Sequence, residues 1–379
     1  MRESAHAPAV TEVNAPPSPY YPGLDATWER KSPEAVGIDP YLLREAIAFS
    51  EEPRHAGYPS DLATHLATIH GGRRQDDGVI LGPTKARGAI TGVLLRHGYL
   101  VAEWGEPERV DMTFSITKSF LSTVAGLAWD RGLIRDLNDR VGDYVHDGGF
   151  DSPHNARITW DHFLRQINEW DGTLWDKHYS AGNTDDELRQ PLTPGTYYEY
   201  NDVRVNRFSL SLLHVWQRPL PDVLKELVMD RIEASSSWQW HGYRNSWVTI
   251  NGTRMQSVSG GGHWGGGMWI NARDLARFGY LTLRRGRWRD QQILPERWID
   301  MATTPTPVQP TYGFMNYFLN TDRQLFPSAP ANHYYHAGAG ANRIWVAPDL
   351  DLVVVLRWVA PDHFDGFVRR VLAAIKPAA

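Results

Sequence analysis

The spacing of apolar positions changes along the chain, and each change predicts an element. Asp39-Pro40 has the form of a helix cap followed by proline at the first helical position, opening a helix that runs to about Ser50. From Ile90 to Gly105 the period shortens. Val93, Leu94 and Leu95 lie on one side of His97-Gly98 and Leu100, Val101 and Ala102 on the other, which predicts a β-hairpin. About ten residues later the period lengthens again. Met112, Thr113 and Phe114 lead into Phe120, Leu121, Val124, Ala125, Leu127, Ala128 and Trp129 at helical spacing, the pattern of a buried helix.

Between about Asp130 and Tyr243 strand signals thin out. Helical patterns over Asp161 to Ile167, Arg204 to Trp216 and Pro221 to Arg231 alternate with polar loops. Beyond them, Gly265 to Ile270 reads as a strand, Asn271 to Arg284 as a capped helix and Pro295 to Met301 as a short helix. Tyr312 to Leu319, Arg343 to Ala347 and Leu352 to Trp358 read as strands, and Pro361-Asp362 opens a last helix to about Ile375. Strands grouped with short turns argue for an antiparallel sheet. The expected fold is α/β (α+β): an antiparallel sheet flanked by helices, with a mostly helical second lobe inserted. Residues 1–30 form an extended arm, 31–129 and 244–379 the sheet lobe, and 130–243 the helical lobe. A cleft between lobes is the natural place for a site.

Composition narrows the function. With 379 residues, 42% of them hydrophobic and 22% charged, the chain has room for a large core. A net charge of -5 gives no reason to expect nucleic acid or an acidic membrane surface as partner. The absence of cysteine excludes disulfides, thiolate metal sites and cysteine nucleophiles. No apolar run is long enough to span a bilayer, and Met1 to about Pro22 lacks the apolar core of a secretory signal. The expected location is cytoplasmic. The histidines show no recognisable metal spacing. Gly260-x-Gly262-x-x-Gly265 formally fits a dinucleotide fingerprint, but His263 and Trp264 interrupt it and no βαβ pattern surrounds it. It reads as a loop lining the cleft or closing on the sheet, with His162 and His263 as packing or loop residues. No cofactor or metal is implied.

Ser115-Ile116-Thr117-Lys118 carries the candidate chemistry. Residues at i and i+3 share a helix face, so the Ser115 hydroxyl and Lys118 amine can meet. A serine becomes a useful nucleophile beside a base that takes its proton, and lysine fills that role when burial or nearby positive charge favours its neutral form. S-x-x-K occurs by chance in many proteins. Here, however, the residues three before the other lysines (Lys31, Lys85, Lys177, Lys225 and Lys376) are Trp28, Gly82, Leu174, Asp222 and Ala373, none of them serine.

Two further segments complete a constellation. Pro194-Gly195-Thr196-Tyr197-Tyr198-Glu199-Tyr200-Asn201-Asp202 puts tyrosines on a turn before a helix, where the Tyr200 phenol can serve as a proton relay. His336-Ala337-Gly338-Ala339-Gly340 offers small residues whose backbone can approach a ligand. An N–H from that edge, with the N–H of Ser115, suits an oxyanion hole.

S-x-x-K, then a tyrosine turn, then a small-residue strand edge is the order found in the serine β-lactamase and penicillin-binding-protein superfamily, and the chain resembles it over roughly residues 33 to 375. Ala89 to Trp104 resembles the hairpin before the nucleophile, Thr193 to Asp202 the P-G-x-x-x-x-Y-x-N segment, and Gly266-Gly267 through Asp274-Leu275-Ala276-Arg277-Phe278 the G-G-x-x-x-x-x-x-D-L-A-R-F block. The chain is most similar to the class C-like branch with esterases and 6-aminohexanoate-oligomer (nylon oligomer) hydrolases. The resemblance implies Ser115 as acylated nucleophile, Lys118 as its base and Tyr200 as proton relay. His336-Ala337-Gly338 falls at the K-T-G position, with Ala339 as second oxyanion donor.

Two positions depart from the pattern. Asp202 stands where the family has an asparagine that commonly helps bind an acyl amide. An acid there either pairs with Lys118 or favours a cationic substrate, and Asn201 is a candidate to stand in for the amide. The K-T-G lysine, which helps hold an anionic carboxylate, is His336. Both changes weaken the case for β-lactams and leave acyl transfer intact. The expectation is a metal-independent serine hydrolase acting on a small-molecule amide or ester. A β-lactamase or D-amino peptidase, and a non-catalytic penicillin-binding-like sensor, are the alternatives. The 16 Trp and 16 Tyr, many in turn-rich segments such as Trp238 to Tyr243, suggest aromatic cleft walls. Symmetric interfaces leave no clear mark in the sequence, so a homodimer is compatible with it.

Overall fold

The computed structural model describes residues 19–24, 27–69, 78–182 and 189–376. Helix α1 (Pro40–Glu51) starts where Asp39 caps it, the Asp39 carboxylate accepting from the N–H groups of Tyr41 and Leu42. α2 (Leu62–Ile69) follows. The hairpin β1 (Thr91–Arg96) and β2 (Tyr99–Trp104) turns at His97-Gly98, and β3 (Asp111–Met112) leads to the buried helix α3 (Thr117–Asp130). The middle of the chain contributes α4 (Trp160–Leu164), the small hairpin β4 (Thr173–Leu174) and β5 (Lys177–His178), then α5 (Asp202–Trp216) and α6 (Leu220–Leu224). After these come β6 (Gln239–Ile250), β7 (Thr253–Val258), β8 (Gly267–Ile270), α7 (Ala272–Leu283), β9 (Arg287–Trp288), β10 (Gln291–Gln292) and α8 (Glu296–Ala302). The chain ends in β11 (Phe318–Leu319), β12 (Tyr334–Gly338), β13 (Asn342–Ala347), β14 (Leu352–Arg357) and α9 (Pro361–Ala374).

The main sheet is antiparallel in the order β11-β12-β13-β14-β1-β2, so the hairpin near the start pairs with the last strand. The register runs from Thr91 opposite Arg357 to Arg96 opposite Leu352. Alternation along β1 sends Val93 and Leu95 to one face and Leu94 to the other. Leu94 meets Trp345, Val354 and Leu356 with α1 and α9 above them. Val93 joins Ile344 and Val355 under α3 and α7, where the rings of Phe120 and Phe278 lie 4.3 Å apart. A second sheet, β3-β8-β6-β7, stands beside this layer.

Several predicted elements fall differently. Trp238 to Tyr243, expected to be turn-rich, lies almost wholly within β6, which runs through the expected lobe boundary. Of the strand expected over Tyr312 to Leu319, only β11 is extended, because the chain folds back and Gly313 N–H donates to Tyr317 O. Of the helical pattern over Asp161 to Ile167, α4 spans Trp160–Leu164, and the described residues around it form short 3-10 turns, the β4-β5 hairpin and loops. Those loops are tied by buried ion pairs, in which Glu169 and Glu199 share Arg189 and Arg204. Residues 1–18 of the expected arm lie outside the described residues. Beyond them, Tyr20 stacks on Tyr99 at 4.4 Å, Tyr21 packs on Tyr280 and Trp288, and the Trp28 indole donates to Gly98 O.

α7 lies on the sheet at Gly279, where a Cβ would come 2.5 Å from Ile344 Cγ2 and 2.8 Å from Val353 Cγ1. Overpacking at such a contact costs about 1–3 kcal/mol. Gly279→Val is expected to lower the unfolding free energy by that amount, seen as a lower urea midpoint with the slope of the transition unchanged in equilibrium unfolding.

Candidate active site

Ser115 lies in a 3-10 turn (Phe114–Ile116) that runs directly into α3, so the Lys118 amine reaches back one turn to it. Lys118 Nζ donates to Ser115 Oγ at 2.8 Å and to Asp202 Oδ1 at 2.8 Å. Lys118 has no exposed surface. Tyr200 closes the group from the other side: the Ser115 hydroxyl favours its phenolate, and Lys118 Nζ sits 4.5 Å from its ring centroid. Burial, reinforced by the Asp202 charge, pushes the Tyr200 phenol well above its ordinary value, which keeps it a neutral donor.

The turn is held by specific stitches. Thr113 donates both its N–H and its hydroxyl to Met268 O in β8. Thr117 Oγ1 accepts from Met268 N and donates to Phe114 O. Phe114 has φ +50°, a left-handed conformation that costs a non-glycine residue about 1–3 kcal/mol. Its ring is fixed among Leu62, Leu66, Met112 and Trp358. On the other side Gly338 lies so close that a Cβ would strike Thr113 O and come 3.3 Å from Ser115 N. The end of β12, with Ala339 next in line, therefore abuts the N–H of Ser115.

Asp202 opens α5, and the N-terminal end of a helix favours its negative charge. It is buried, with Lys118 on Oδ1 and His263 Nδ1 3.4 Å from Oδ2. Burial alone would raise this carboxyl, but Lys118 and His263 outweigh it and hold it well below the usual carboxylate range. Gly261 closes over the pair, since a methyl there would fall on Asp202 Oδ1 and Lys118 Nζ. An aromatic wall flanks the group. Tyr312 meets Tyr198 at 5.2 Å and Tyr200 at 6.3 Å, and its hydroxyl accepts from Gln166 Nε2 and Asn316 N.

Residues 91–370 match the family model described as Beta-lactamase. The chain belongs to the beta-lactamase family. Among solved structures, this family member is similar to a Bacillus anthracis protein whose assigned name is 6-aminohexanoate-dimer hydrolase, with 14% identity, TM-score 0.53, and 79% of this chain and 80% of that one covered. EstCE1, a hydrolase with promiscuous acyltransferase activity, gives 14% identity and TM-score 0.56 over 83% of this chain and 98% of its own. A beta-lactamase/D-alanine carboxypeptidase from Pseudomonas syringae gives 13% and 0.56 over 83% and 100%. These likenesses show the β-lactamase-like fold of mixed helices and antiparallel sheet. No curated protein matches the chain. No helix among the described residues is long and apolar enough to cross a membrane.

Against the family pattern, the structure brings Ser115, Lys118, Tyr200 and Asp202 together and sets two expected residues aside. Asn201 does not stand in for the motif amide. Its Oδ1 caps α5 by accepting from Val203 N and Arg204 N, and its Nδ2 donates to Tyr179 O. His336 does not present a cation to Ser115. It faces inward with no exposed surface, its Nδ1 lies 3.0 Å from Ser119 Oγ, and burial lowers its pKa to about 3. Sequence reasoning took His263 for a loop residue and missed its contact with Asp202. The signal available was the glycine run Gly260 to Gly262, which lets backbone press onto a buried charge.

Gly261→Ala is expected to part Lys118 from Asp202 while leaving the fold intact. Displacing a reacting group by about 1 Å costs about 10²-fold in rate. That loss should appear in labelling of Ser115 by a fluorophosphonate, with the circular dichroism spectrum unchanged.

Proposed function

We propose that this chain is a serine hydrolase that cleaves an amide or ester bond of a small substrate through an acyl-enzyme. The observation that carries this reading is the buried amine on one serine hydroxyl with a phenol beside them, Lys118 Nζ lying 2.8 Å from Ser115 Oγ and 4.5 Å from the Tyr200 ring centroid. Ser115 Oγ forms a bond to the substrate carbonyl carbon, and its proton passes to the Lys118 amine in its unprotonated form. The oxyanion rests on the N–H groups of Ser115 and Ala339. When the tetrahedral species collapses, the carbon–nitrogen or carbon–oxygen bond breaks, and Lys118 and Tyr200 return the proton to the leaving amine or alcohol. Water then attacks the acyl carbon by the same path in reverse, restoring the Ser115 hydroxyl.

The hydrolase names of the structural neighbours support the reaction class. A β-lactamase or D-amino peptidase reading is less well supported, because such substrates carry an anionic carboxylate and the residue at the K-T-G position is a neutral, sealed imidazole. A non-catalytic sensor has no use for all three groups brought together. Aromatic rings beside Ser115 favour a substrate with an apolar stretch.

Ser115→Ala is expected to abolish both covalent labelling by a fluorophosphonate and turnover of a p-nitrophenyl ester. Tyr200→Phe should still label but lose about 10²–10⁴-fold in kcat, the usual worth of a positioned proton donor. A Ser115→Ala protein that still formed the adduct would defeat the assignment.

A further inference from the structure

We propose that Asp202, clamped between Lys118 and His263, is a positioning residue that sets the pH range in which Ser115 is reactive. This rests on the serine-hydrolase reading and adds to it a control that faces inward instead of toward substrate. Both carboxylate oxygens are engaged, Oδ1 by Lys118 at 2.8 Å and Oδ2 by His263 Nδ1 at 3.4 Å, and the residue is buried, so the carboxylate serves the interior of the site. Gly261 backbone covers the pair from above. The support is therefore built from three separate parts of the chain, and each part is shaped to it.

The consequence follows from which form of the amine the surroundings favour. A lysine suited to take a proton from serine is buried beside positive charge. Lys118 is buried, but its close charged partner is a carboxylate. The other groups that face it are the neutral phenols of Tyr200 and Tyr312 and the Ser115 hydroxyl. His336 lies one residue away through Ser119 and is neutral. Compared with a neutral side chain of the same shape, an ionised carboxylate in contact with the amine opposes the unprotonated form that the proposed proton transfer from Ser115 needs. Asp202 holds the amine in place over Ser115 and in the same contact delays its use. His263 acts in the opposite sense: an N–H donated to Oδ2 draws off part of the negative charge that Lys118 would otherwise face. On the far side of the neighbouring residue, Lys177 Nζ lies 5.1 Å from the ring centroid of Trp264.

The test is the rate of fluorophosphonate labelling of Ser115 as a function of pH, each variant normalised to its own plateau. Asp202→Asn keeps the shape and removes the charge. Its rising limb should move to lower pH by about one to three units, so that labelling at the foot of the wild-type limb becomes at least about tenfold faster. His263→Leu, which removes the N–H, should move the limb the other way. Thermal melting checks that both variants fold, and if Asp202→Asn does not, the direction of the His263→Leu shift decides. Limbs that stay in place, or shifts of reversed sign, overturn the inference while leaving the hydrolase reading standing. A wild-type chain that neither labels nor turns over ester at any pH defeats that reading and this one with it.

Discussion

The buried contact between Lys118 and Asp202 is the constraint around which the rest of the site is arranged. An ammonium and a carboxylate withdrawn from water are tolerated only when each satisfies the other with good geometry, and removing one partner typically costs about 3–5 kcal/mol. Here the pair joins the buried helix α3 to the first residue of α5, with Gly261 closing the top. The placement of Ser115 over the amine follows from this, because α3 cannot rotate or slide without breaking the pair.

A second constraint acts on the backbone. The left-handed Phe114 presents Ser115 out of the regular helix, and its strain is held by the cluster of Leu62, Leu66, Met112 and Trp358 on one side and by Thr113 and Thr117 bonded to Met268 on the other. Gly338 completes the enclosure. Four remote parts of the chain thus fix one turn, and the chemistry proposed for it depends on that fixation more than on any single side chain.

What could be read from the sequence was local. The Asp39 cap, the hairpin around His97-Gly98, the Asn271 cap and the i, i+3 spacing of Ser115 and Lys118 are signals written within a few residues, and the structure has those elements where the pattern puts them. The Asp202 pairing was one of two open options, because a carboxylate in the motif position does not reveal which way it points. What escaped was nonlocal. His263 meets Asp202 only because β8 and the glycine run fold over α5, and no spacing records that. Asn201 looked available as a motif amide until the cap of α5 consumed it. β6 was hidden because Trp240, Gly242 and Tyr243 resemble a turn, and the adjacent burial of Gly242 and Tyr243 breaks the alternation that marks a strand.

The order of strands in the main sheet has a consequence for how the protein comes into being. β1 pairs with β14, and Gly338 of β12 is needed against Thr113 and Ser115. Contacts of such long sequence separation form late and slowly. A chain emerging from the ribosome carries Ser115 and Lys118 long before it carries β12 to β14, and in that interval the serine has neither its backbone neighbour nor its sheet. Under the proposed chemistry, reactivity arrives only with the last strands, and a chain cut before β12 lacks the backbone that would support it.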